Sequence, residues 1–90
     1  TNSGTFVLSG YLWAQLARVA RQLGDEERSE DAGRKALEAS PYLVRDQIEG
    51  ARALLAEGNR EAAQEAADTA AALAPRDLSV LDLLRQLRQP

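Results

Sequence analysis

Histidine and cysteine are both missing from this 90-residue chain. Without cysteine there is no disulfide, no thiolate zinc site and no thiol nucleophile. Without histidine the commonest general base and the commonest metal ligand are gone as well. Aromatic residues are scarce, with one Phe, one Trp and two Tyr, which disfavours a β-sandwich. No apolar run approaches the roughly 20 residues that span a bilayer, so no direct membrane insertion is expected. A basic segment followed by an apolar one is also lacking, so no signal peptide is expected. The surplus of basic residues typical of a nucleic-acid binder is absent too: fourteen acids face eleven bases, for a net charge of −3. The chain begins at Thr1 rather than methionine, which reads as a processed chain or a fragment.

What is present points to helices. Seventeen alanines and fourteen leucines dominate. Ten of the eleven basic residues are arginine, a composition that suggests a GC-rich bacterial genome and leaves cytoplasm and periplasm both open. A core built largely of alanine is thin per residue, so helices must approach closely to bury enough surface.

The chain also repeats itself. Gly24-Asp25 and Gly58-Asn59 lie 34 residues apart, as do Ala36 and Ala70, and Pro41 and Pro75. Laying 10–43 on 44–77 without a gap gives seven identities, with the glycine and proline punctuation in register. Leu12, Leu16, Val19 and Leu23 form an apolar stripe at helical period, and Val44, Ile48, Ala51 and Leu55 form a second with the same spacing. Gly24 and Gly58 supply left-handed residues that end these helices. Asp25, Asn59 and Asp77 are placed to cap the helices that follow, and Ser9 also reads as a cap. Ser40-Pro41 reads as the N-cap and first position of a third helix. The expectation is five helices, at about 10–23, 25–39, 41–57, 59–73 and 77–88, joined by short loops that make neighbours antiparallel. Residues 1–9 fit no helix; Phe6-Val7-Leu8 either dock on the first helix or belong to a preceding element.

These residues resemble tetratricopeptide (TPR) repeats. Trp13, Leu16 and Ala17 sit where that family has its aromatic, leucine and small residue. Gly24-Asp25 matches the turn, Ala36 the small residue of the second helix and Pro41 the closing proline. The second unit keeps Ala51, Gly58, Ala63, Ala70 and Pro75, but has Gln47 and Gly50 for the aromatic and leucine. Gly33 and Ala67 stand where both units should carry a large aromatic. The resemblance implies an all-α, right-handed superhelical stack of antiparallel helix pairs. Residues 1–9 would be a lead-in, 10–43 and 44–77 two repeats, and 78–90 a capping helix or the first half of a third repeat. The alternative is an ordinary five-helix bundle.

Function follows from inventory and charge. No catalytic, metal or cofactor site is expected: the acidic clusters Asp25-Glu26-Glu27 and Glu30-Asp31 fall at a helix start, where carboxylates oppose the helix dipole. They match no calcium loop, and no glycine-rich phosphate cradle exists. Trp13 reads as core filler, and Gly33 as a point of close helix contact. The first helices of each pair, with the fifth, hold six arginines against four acids, whereas the second helices hold nine acids against four bases. In a TPR-like stack the first helices line a concave groove and the second form the convex back. The resemblance therefore implies a mildly basic groove carrying Tyr11, Ala14, Arg18, Arg21, Arg45, Ile48, Arg52 and Leu55, then Ser79, Asp82 and Gln86 on the fifth helix, with Arg18 and Arg52 one helix spacing apart. The partner would be a protein or peptide, an acidic one suiting the basic groove, held as in a scaffold. Where family members clamp chaperone tails with Lys and Asn, this chain has Ala14, Arg18 and Glu49, then Ser79 and Leu83, so that partner is not expected. A second reading is a structural or oligomerisation segment of a larger bacterial protein whose activity lies elsewhere. Leu81 and Leu84, on a fifth helix with more leucines than one stripe needs, are the candidate self-association residues.

Overall fold

The computed structural model describes residues 9–89, and within them the chain is all-helical. The lead-in, with Phe6-Val7-Leu8, lies outside the described residues apart from Ser9. Five helices follow in order: α1 (Gly10–Gln22), α2 (Glu26–Ala39), α3 (Leu43–Ala56), α4 (Arg60–Leu73) and α5 (Leu78–Arg88). Each lies within about three residues of its expected bounds, because the signals that set the ends are local. Gly24 and Gly58 have φ of 82° and 87°, conformations an L-residue rarely adopts. The side chains of Ser9, Asp25 and Asn59 each accept a hydrogen bond from a backbone N–H three residues on, and Asp77 accepts from Ser79 and Val80. The third start differs from expectation. Ser40 closes α2, its N–H donating to the Ala36 carbonyl, and Tyr42 precedes α3 without a side-chain cap.

The helices form two antiparallel hairpins, α1–α2 and α3–α4, and the hairpins meet through α4. This helix packs on α1, α2, α3 and α5, while α1 and α3 are not packed along one another. That placement departs from the expected convex back for the second helices. Its cause is alanine: Ala63, Ala67, Ala70, Ala71 and Ala72 put small side chains on several sides of α4, so neighbours can close in on more than one of them. From Thr69 to Leu73 five consecutive residues are buried.

One core cluster joins Ile48 and Ala51 of α3 to Ala63, Ala67 and Ala70 of α4 and to Val80, Leu83 and Leu87 of α5. The other joins Ala14 and Ala17 of α1 to Ala32 and Ala36 of α2, with Leu43, Ala72 and Leu73, and Trp13 packs against it half-buried. Gly33 is a close contact: a Cβ there would stand 3.1 Å from the Ala72 carbonyl oxygen. Arg60, at the start of α4, donates to the carbonyls of Leu87 and Gln89 and so ties down the end of α5.

Gly50 has no such reason to be glycine, since an added Cβ would meet nothing within 4 Å and the position lies inside α3. Gly50→Ala is expected to stabilise the fold by about 1 kcal/mol, raising the melting temperature by roughly 4–8 °C in a thermal scan followed by circular dichroism.

The α1 stripe is the largest departure. Leu12, Leu16, Val19 and Leu23 are 45%, 48%, 43% and 78% exposed, while Gly10, Ala14 and Ala17 on the opposite face of the helix are buried. Under the 34-residue register the two stripes are not equivalent. Val44, Ile48 and Ala51 correspond to Gly10, Ala14 and Ala17, and both sets face inward. The α1 stripe corresponds instead to Asp46, Gly50, Ala53 and Glu57, which face solvent. Two residues of offset turn a helix by about 200°, which carries a stripe from one side to the other.

Candidate functional site

Three of the expected groove residues come together on α3, and a fourth, Ser79 of α5, joins them. Arg45, Ile48 and Arg52 occupy one face of α3 at spacings of three and four, and the start of α5 closes that face into a cleft of about 410 Å³. Ile48, 7% exposed, forms its floor beside Val44, so it is a core residue that the cleft reaches rather than a protruding contact. Asp77 and Ser79 border the α5 side.

The charges around the cleft are unequally occupied. The Arg45 Nε lies 3.3 Å from Glu49 Oε2, one turn along the exposed surface, a pair worth only a few tenths of a kcal/mol. Asp77 accepts from the backbone N–H groups of Ser79 and Val80 at 2.8 and 3.3 Å, which engages its carboxylate with the first turn of α5. Arg52 is exposed and has no hydrogen-bond or ion-pair partner among the described residues. The cleft thus offers one unengaged guanidinium, a second held only weakly, and an apolar floor between them. A carboxylate can be taken in a two-pronged fashion by Arg52 while an aliphatic side chain rests on Val44 and Ile48.

The remaining expected residues lie elsewhere. Arg18 faces α4, where its Nη1 is 2.8 Å from Glu65 Oε2 and its side chain is largely buried. It is an inter-hairpin strut and does not join Arg52 in one strip, because α4 rather than α3 packs on α1. Arg21 lines a separate, wider hollow of about 860 Å³ with α2 and the end of α4, where Glu26, Glu30 and Glu38 offset its charge together with Arg34 and Arg76. Tyr11 is exposed on α1, and Leu55 is half-buried against the core of the second hairpin. On α5, Leu81 is exposed while Leu84 is half-buried against the same core.

Ser79 borders the cleft as the resemblance implies, whereas Asp77, expected only as a cap, could not be joined to α3 by periodicity, since its nearness depends on how α5 folds back. The exposure of the α1 stripe had a signal in the repeat register, which places it opposite Asp46 and Glu57 rather than opposite Ile48. Among the described residues, no helix is long and apolar enough to cross a membrane.

No family model, curated protein or solved structure matches the chain.

Proposed function

We propose that this chain is a protein–protein interaction module that holds an acid-bearing peptide or helix in the cleft between α3 and α5. The observation that carries this reading is the meeting of Arg45, Ile48 and Arg52 in one cleft with Arg52 unengaged. Catalysis has no place in it, because the composition offers neither histidine nor cysteine. The finer architectural reading, two TPR-type units of which the second is degenerate, in a superhelical stack, is supported by the 34-residue spacing and by the matching glycine turns. It must accommodate a second hairpin that meets the first through α4.

Titration of an acidic peptide library against the protein tests the cleft. Exposed charge contacts are individually weak, so binding in the micromolar range is expected, falling with added salt. Arg45→Glu/Arg52→Glu should weaken it at least about tenfold, since two attractive contacts become repulsive. Equal binding by both proteins, or binding indifferent to salt, would assign these arginines to solubility alone. The second reading, a structural or oligomerisation segment of a larger bacterial protein, is favoured by the exposed α1 stripe.

A further inference from the structure

We infer that the outward face of α1 is a self-association seam, on which a second copy of this chain packs its own α1 in antiparallel orientation. Four large aliphatic side chains stand there in a row, Leu12, Leu16, Val19 and Leu23, each between 43% and 78% exposed. The fold itself does not call for them. At the equivalent places of the second hairpin the chain carries Asp46, Gly50, Ala53 and Glu57, all exposed, and α3 packs normally through its other face.

The spacing and the charge of this face both point to a like partner. Steps of four, three and four residues are those of a helix–helix seam, in which successive apolar side chains keep facing the same neighbour. The stripe is also symmetric about the midpoint between Leu16 and Val19. A twofold axis there sets Leu12 against the partner's Leu23 and Leu16 against the partner's Val19, so every large side chain meets another. Along α1 the borders are Tyr11, Gln15 and Gln22 on one side and Trp13 and Ala20 on the other, with no charged residue among them. A charged partner would find nothing to pair with, whereas two copies meet without repulsion along the seam. The charges that touch the borders are already paired: Arg18, which donates to the Gln15 side chain, is 2.8 Å from Glu65, and Lys35, over the Trp13 ring at 4.7 Å, is 3.2 Å from Asp31.

The seam is short, about 16 Å from Leu12 to Leu23 at 1.5 Å per residue. With its borders it removes roughly 1,000 Å² from water over both copies, at the small end of specific interfaces, so the dimer is weak and concentration-dependent. Being apolar, it holds or strengthens with salt, the opposite of the response expected of the α3–α5 cleft.

Sedimentation equilibrium on the full chain, from about 10 μM to about 1 mM, is the direct test. The average mass should rise toward two chains across that range. Leu16→Glu and, at the most exposed place, Leu23→Glu should each hold it at one chain with unchanged helical circular dichroism. Ala53→Glu, on the equivalent solvated face of α3, should dimerise as the parent does. Because the chain has no cysteine, single-cysteine variants report orientation. Mixed Leu12→Cys and Leu23→Cys proteins should form a cross-linked heterodimer on oxidation, in preference to either homodimer. A single-chain mass at the highest concentration would overturn the proposal, whether the stripe is covered by residues of its own chain or simply tolerated in water. So would an unchanged mass in both glutamate variants, or preferential Leu12→Cys homodimers, which mark a parallel pair. None of these results bears on peptide binding in the cleft.

Discussion

Leu83→Ala is expected to remove about 3 kcal/mol of stability, within the range of 2–5 kcal/mol seen when a buried leucine is truncated. Leu83 is fully buried and, with Val80, is the largest side chain to be so. Half of its buried neighbours in the cluster are alanines on α4, which have no flexible atoms with which to fill the space left behind. The cavity therefore persists, and its cost adds to the lost transfer free energy. A domain of this size has a total stability of roughly 5–13 kcal/mol, so the loss is a large fraction of it. Urea denaturation should show a much lower midpoint with a similar slope. Leu81→Ala, at a half-exposed position on the same helix, should cost less than about 1 kcal/mol.

Ala17→Leu is expected to cost about as much by the opposite mechanism. Ala17 is fully buried in the α1–α2 hairpin, and its carbonyl accepts the buried hydroxyl of Ser29 at 3.0 Å. That bond holds the α2 backbone close to α1 at this point. Three added carbon atoms have no void to enter, so α2 must move away and the Ser29 hydroxyl loses its acceptor. Overpacking of this kind costs about 1–3 kcal/mol, and a buried hydroxyl left unpaired adds about 1 kcal/mol or more. Thermal melting should fall by more than 10 °C on the scale of roughly 4–8 °C per kcal/mol for a small domain. Ala53→Leu, exposed on α3, serves as the control and should melt near the parent.

The candidate cleft was legible by periodicity only where it lies on a single helix; across helices the resemblance supplied Ser79 and not Asp77. Arg45, Ile48 and Arg52 share a face of α3 because of their spacing, and no tertiary information is needed to see it. Arg18 occupies the place equivalent to Arg52 in the repeat, yet it pairs with Glu65 because α4 packs on α1. Equivalence in a repeat transfers local conformation; it does not transfer neighbours.

The same division runs through the whole protein. Sequence alone determined five helices and nearly all their ends, since a capping carboxylate or a glycine at positive φ acts within a few residues of where it stands. It also determined that helices must approach closely, through the abundance of alanine. Only the tertiary structure decided which face of α1 is buried. That helix has two opposite candidates, the leucine stripe and the small face of Gly10, Ala14 and Ala17, both at helical period. Burying leucine would gain more area for α1 by itself, whereas the small face admits α2 and α4 close to its backbone. The outcome depends on α4, whose alanines on several sides leave no single stripe by which its four neighbours could be read in advance.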